Sequence, residues 1–96
     1  MDGTGIAVRL DPSDVAVSIL GTQVVNLGLP QGIQTSLLSK LQDAIVAIQT
    51  GDYATAIGDL GALIHEVNAQ TGKKISSTEA AVLIASANDI LAALQR

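Results

Sequence analysis

Cysteine, tryptophan and phenylalanine are absent from these 96 residues, and tyrosine, methionine and histidine occur once each. Without cysteine the chain has no disulfide, no thiol nucleophile and no cysteine-bound zinc. A single histidine falls short of the several convergent ligands a metal centre needs. The one aromatic, Tyr53, excludes a base- or sugar-stacking platform and leaves little to build a cofactor pocket. Charge is scarce as well. Only 15% of residues are charged, against roughly 25% in ordinary soluble domains. Five basic residues face nine acidic ones, for a net charge of -4, so the chain gains little from phosphate neutralisation and no nucleic-acid binding is expected. No apolar run approaches the roughly 18 residues that span a bilayer, so no membrane insertion is expected. The opening "MDGTGIAVRL" lacks a basic segment followed by a long apolar core, and does not read as a signal peptide.

What is present is aliphatic. Hydrophobic residues make up 48% of the chain, and Ser, Thr, Gln and Asn occupy 24 further positions. That composition excludes disorder and suits one small domain with a polar but lightly charged surface. Such a surface has few charges to hold a neighbour away, so lateral contacts are expected.

The short segment "GIAVRL" alternates Ile6, Val8 and Leu10 with smaller or polar residues, the period of a strand. A lone strand cannot bury its face. Residues 1–10 therefore read as a strand-like lead-in that lies along a helix, or as the end of a preceding domain. Helical signals begin at "DPSDVAVSILGTQVVNLGLP". Asp11 suits a cap, Pro12 the first helical position, and Asp14 the positive end of the helix dipole. Val17, Leu20, Val24 and Leu27 follow at three- and four-residue steps, while Val15, Val17 and Ile19 support a competing strand. The cap favours helix, stopped by Gly28 and Pro30.

A second helix is predicted from about Gln31 to Thr50, with Ile33, Leu37, Leu41, Ala44, Ile45 and Ile48 as its stripe. Gly51 ends it and Asp52 caps a third, with Ile57, Leu60, Ile64 and Val67 facing inward. Gly72 stands where a left-handed C-terminal cap is wanted. "SSTE" (residues 76–79) fits a capping box, with Ile75 placed to staple onto Ala80. The closing helix, Ser77 to about Gln95, places Ala80, Leu83, Ile84, Ala87, Ile90, Leu91 and Leu94 on one face. Ala81, Ala85, Ala92 and Ala93 leave it almost no strongly polar side. Three short connections make neighbouring helices antiparallel. Emptying Ile64 or Leu91 to alanine is expected to cost about 2–5 kcal/mol.

The run from Gly28 to Leu94 resembles the small helical FIMAH-type domain of large secreted and surface proteins of bacteria. The matching positions are Gly51, Asp52, Ala56, Ile57, Leu60, Ile64, Val67, Gly72, Lys73, Lys74 and Ile75. Leu63 stands where that pattern usually has phenylalanine, which makes this core less aromatic. The resemblance implies a non-catalytic helical module of an extracellular multidomain protein, and it transfers no catalytic residue.

The remaining polar residues suit structural duties. Lys73 and Lys74 follow the negative end of a helix and read mainly as a corner, with an acidic-partner site as the lesser reading. Asp11, Asp14, Asp52 and Asp59 read as caps and solvated charges and do not match a calcium loop. Ser76 and Ser77 lack a neighbouring base, and no nucleophile elbow exists. Gly58, Gly61 and Ala62 give the third helix a narrow side, with His65 one turn on, where another helix can approach closely.

The sequence thus predicts an all-α antiparallel bundle of three long helices and a shorter first one, residues 11–96, without catalytic, cofactor or metal residues. The candidate partner contacts are Gly58, Gly61, Ala62, His65, Lys73 and Lys74. The expected partner is a neighbouring domain, another protein or a second copy in a weak homodimer. The expected role is that of an interaction or spacer module in an extracellular or cell-envelope protein. The alternative is a free-standing small acidic intracellular carrier or adaptor, although the Asp-Ser-Leu motif of acidic carrier proteins does not occur.

Overall fold

A computed structural model describes residues 12–95 of the chain. Four helices follow in order: α1 (Pro12–Asn26), α2 (Gln31–Gln49), α3 (Tyr53–Gln70) and α4 (Ser77–Leu94). The first, at 15 residues, is shorter than the others at 19, 18 and 18. Each helix packs on the next and α4 closes back on α1, while the diagonal pairs do not approach. Connections of three to six residues force an up-down-up-down course. The strand-like segment and the Asp11 cap lie outside the described residues.

Local chemistry sets every boundary. Pro12 opens α1, with Asp14 in its first turn, as a missing amide and a negative charge both suit a helix start. The competing strand over residues 15–20 does not form. Its alternation arose because Val15 and Ile19 are exposed apolar residues on either side of the buried Val17. Gly28, Gly51 and Gly72 each take positive φ, at 65°, 81° and 81°, so the chain can leave α1, α2 and α3 in the left-handed conformation that glycine adopts most readily. Asp52 caps α3 by accepting from the Thr55 amide at 3.2 Å and from its hydroxyl at 2.6 Å. At α4 the capping box is complete. The Ser76 hydroxyl accepts from the Glu79 amide at 3.1 Å, and the Ser76 amide donates to Glu79 Oε1 at 3.0 Å.

The core is one aliphatic cluster. Val17, Leu20 and Val24 of α1 meet Leu37, Leu41, Ala44 and Ile48 of α2, and Leu83, Ala87 and Ile90 of α4 complete it with α3. Leu29 and Ile75, from two of the connections, are buried in the same cluster, Ile75 together with Ala80. On α3 the buried positions are Ala56, Leu60, Leu63 and Val67, a correction to the expected stripe, because Ile57 and Ile64 only fringe the core. Both stripes repeat at three- and four-residue steps, and periodicity alone does not locate the centre of a face whose neighbouring rows are also apolar.

The correction changes which residues matter most. Leu63 and Leu60 are fully enclosed, so replacing either by alanine should destabilise the protein by about 2–5 kcal/mol. Ile64 and Leu91, half-buried at the edge of the core, should lose clearly less than Leu63. Urea unfolding of Leu63→Ala, Ile64→Ala and Leu91→Ala measures the order, and equal losses at Leu63 and Ile64 would contradict the placement of this face.

Candidate functional site

The corner containing Lys73 and Lys74 is built by the backbone. The Gln70 carbonyl accepts from the amides of Lys73, Lys74 and Ile75 at 2.9, 3.1 and 3.1 Å, and the Gly72 amide donates to the Ile75 carbonyl at 2.8 Å. The Thr71 hydroxyl donates to the Val67 carbonyl at 2.8 Å. These bonds satisfy groups at the α3 end without using either lysine side chain, and both lysines are exposed. They stand beside each other at one end of the bundle and converge with no other sequence-selected residue.

Gly58, Gly61, Ala62 and His65 do share a side. All four are exposed on α3, about half a turn of the wheel from Leu60, Leu63 and Val67. A Cβ built at Gly58 or Gly61 would meet nothing within 4 Å, so none of the described helices uses the narrow side. His65 has no metal set around it. No group of three or more metal-ligating side chains gathers among the described residues. Its neighbour Glu66 turns toward α2, where Oε1 pairs with Lys40 Nζ at 2.8 Å and accepts from the Ser36 hydroxyl at 2.9 Å. Both charged partners keep partial solvent contact, so this pair stabilises the α2–α3 seam by about 0–1 kcal/mol, less than one enclosed leucine.

Two acidic residues do more than the sequence indicated. Asp14 accepts from the Gln49 amide nitrogen at 3.1 Å, joining the start of α1 to the end of α2. Asp59, expected as a solvated charge, is half-buried, and its Oδ2 is shielded from solvent with no hydrogen-bond donor among the described residues. Burial pushes its carboxyl above the usual range, and the charges of Asp43 and Asp52 push the same way against a weaker pull from Lys40. Asp52 behaves oppositely. The hydroxyl and amide of Thr55 bond its carboxylate and hold it below the usual range.

The residues missed from the sequence are apolar and face outward. Val15, Ile19, Val25, Val46 and Val82 are all exposed, Ile19 and Val46 by more than half. Tyr53 is 42% exposed. Between α1 and α2 runs an open apolar groove of about 490 Å³, floored by Val17, Gly21, Val25, Leu38, Leu41 and Ile45. The signal that could have found this face is the excess of valine and isoleucine on α1 beyond a single stripe, since a helix apolar on several sides meets more than one neighbour. Helix α4 poses a related case. Its 18 residues have a mean hydropathy of 1.3, enough by length and composition to cross a membrane. Glu79, Asn88 and Asp89 interrupt the segment, so it contains no unbroken apolar run of that length. Its buried residues pack on α3 and α1, and the core helix of a bundle meets the same criterion.

Two measurements test this surface. Replacing Ser76 by alanine should cost about 1 kcal/mol through the lost cap. Lys73→Gln with Lys74→Gln should cost less, because the corner's bonds come from the backbone. A larger loss from the lysine pair would contradict that order. For Asp59 the folded state binds the proton more tightly than the unfolded state, so its charge opposes folding above the raised pKa. Asp59→Asn should therefore raise the urea midpoint at pH 7. The gain should shrink as pH falls through the raised pKa, where wild-type Asp59 takes up its proton. A destabilised Asp59→Asn at pH 7 would show that the carboxylate has a partner that outweighs its burial.

Taken together, the side chains converge on no reaction centre among the described residues, and the available chemistry is apolar contact on α1, α2 and α3. Comparison with protein-family models, with curated proteins and with solved structures finds no match to this chain.

Proposed function

We propose that the chain is a non-catalytic helical interaction or spacer module of a larger extracellular or cell-envelope bacterial protein, acting through protein–protein contact. The observation that carries this reading is the apolar surface left over once the bundle has closed. Val15, Ile19, Val25 and Val46 stay exposed although the core already takes one stripe from every helix. Scattered exposed valines are ordinary, but Val25 borders the apolar α1–α2 groove and Ile19 a second cleft between α1 and α4, and exposed apolar residues beside such clefts favour a covering neighbour. The resemblance to FIMAH-type domains over residues 28–94 supports placing that neighbour in the same multidomain protein. The low charge and the small-residue side of α3 allow a second copy to approach as well. Each exposed residue buries little area at about 25 cal/mol per Å², so contacts between free copies should be weak.

Sedimentation equilibrium across a wide concentration range should show modest self-association of the 9.8 kDa chain, with a Kd in the region of micromolar or weaker, near 8 kcal/mol or less. Ile19→Lys with Val46→Lys should weaken it further while the helical circular dichroism persists. A strictly monomeric chain, unchanged by both substitutions, would remove the homotypic contact and leave the adjoining domain. A parent reading frame with neither a secretion signal nor adjoining domains would overturn the module reading in favour of the free-standing carrier or adaptor.

A further inference from the structure

The cleft between α1 and α4 carries a charge that its own helices do not use. Two adjoining hollows of about 180 and 200 Å³ share Ala16, Asp89 and Ile90. Together they follow α1 from Ser13 to Gln23, about 15 Å of axial rise or three helical turns. Buried Ser13 closes one end. At the other, the Ser86 hydroxyl donates to Gln23 Oε1 at 3.0 Å across the cleft. Between these ends Ile19, Leu20 and Ile90 make the walls aliphatic, and the small Ala16 and Ala93 leave room above them. Among the described residues Asp89 is the one charged group lining the cleft. It is exposed and has no hydrogen-bond or ion-pair partner among them. Nor does it serve α4, because aspartate is a poor helix former and this one stands far from the helix start, where acidic side chains are favourable. The described lysines lie elsewhere. Lys40 is paired with Glu66 in the α2–α3 seam, and Lys73 and Lys74 precede α4, whose start is about 18 Å of helix rise from Asp89.

We propose that this cleft takes a helix of a partner protein that presents a lysine or arginine between aliphatic side chains, the cation pairing with Asp89. The inference rests on the reading of the chain as a contact module and adds the chemistry of what it contacts. Lysine and arginine suit the place because their methylene stems pack on aliphatic walls while the charged head stays near water, where Asp89 stands. Residues one turn apart share a helix face. A partner helix centred on Asp89 therefore sets one aliphatic side chain over Ala16 and Ala93 and another over Ile19 and Leu20. An acidic or phosphorylated ligand would meet repulsion from the carboxylate instead. A second copy does not supply the required face. Its Lys40 is held in a seam, and its Lys73 and Lys74 sit in a corner whose neighbouring aliphatic, Ile75, is enclosed in the core.

Three otherwise identical helical peptides of alanine, leucine and glutamine, with lysine, glutamine or glutamate at the central position, provide the test. Each is titrated into the isotope-labelled 96-residue chain. The lysine peptide should shift the amides of Ile19, Gln23, Ser86 and Ile90. It should bind about threefold or more tightly than the glutamine peptide, as a partly exposed ion pair allows, and the glutamate peptide should bind weakest. Asp89→Asn should bring the lysine and glutamine peptides to equal affinity with the helical circular dichroism unchanged. Asp43→Asn removes the same charge from α2 and should keep the preference. A preference lost equally in both variants would overturn the proposal by reducing it to net-charge attraction. Shifts centred on Val25, Leu38 and Ile45 would also refute it, placing the contact in the α1–α2 groove. Equal binding of all three peptides in the cleft would rule out the cation's role and leave the contact module standing. No shift by any peptide at millimolar concentration would remove the cleft as a site, while the module reading still answers to the parent reading frame.

Discussion

The closure of one aliphatic core by four helices is the constraint on which the rest of this structure depends. None of the helices can bury its stripe alone, the one aromatic residue, Tyr53, is exposed, and there is no disulfide or described metal set to supply the missing cohesion. Leucine, valine, isoleucine and alanine carry the interior, and Leu20, Leu37, Leu60, Leu63 and Leu83 are its largest enclosed side chains along with Ile75. The small volume of alanine at positions 44, 56, 80 and 87 lets the helices fit closely, as close packing requires. Polar links add direction more than energy. Lys40 with Glu66 and Ser36 joins α2 to α3, and the Ser86 hydroxyl donates to Gln23 Oε1 at 3.0 Å between α4 and α1.

Closing a core with so few large side chains has a consequence for the surface. Each helix spends its leucines inward, and the outer faces are left with small or β-branched residues, such as Gly58, Gly61 and Ala62 on α3 and Ala81, Ala85 and Ala92 on α4. Such faces resist approach neither by bulk nor by charge. The outward apolar residues are distributed differently, three on α1 (Val15, Ile19 and Val25) with Val46 on α2 and Val82 on α4. The two kinds of face suit different neighbours. Small residues permit close backbone approach but gain little area, whereas the α1–α2 groove offers aliphatic depth.

Electrostatics play a supporting part with one local conflict. Asp52 stabilises the start of α3 through its bonds to Thr55, and that contribution is present above the unfolded carboxylate pKa and lost as pH falls through the lowered folded one. Asp59, two turns along the same helix, sits partly out of water near Asp43 and Asp52. Lys40, whose charge pulls the other way, is already paired with Glu66. The strain is modest because Asp59 is only half-buried, and a chain this rich in caps and enclosed aliphatics tolerates it.

Helix ends, the all-α class and most of the core were legible from the sequence because they follow from local chemistry. A proline at a first turn, glycines that accept positive φ, and the Ser76–Glu79 box act within a few residues of themselves. On α4 the expected Ala80, Leu83, Ala87, Ile90 and Leu94 are enclosed, while Ile84 and Leu91 of the same expected stripe stand at the edge of the core. Tertiary structure decided what depends on distant neighbours. It alone placed Ile64 at the edge of the core beside the enclosed Leu63, because the centre of an apolar face is set by where α2 and α4 lie. It alone showed that the narrow side of α3 faces away from the bundle, that Asp59 loses water, and that Gly21 opens a groove against Leu38 and Leu41. Periodicity reports which residues share a helix face, and only the packed neighbours determine which of those faces is shielded from water.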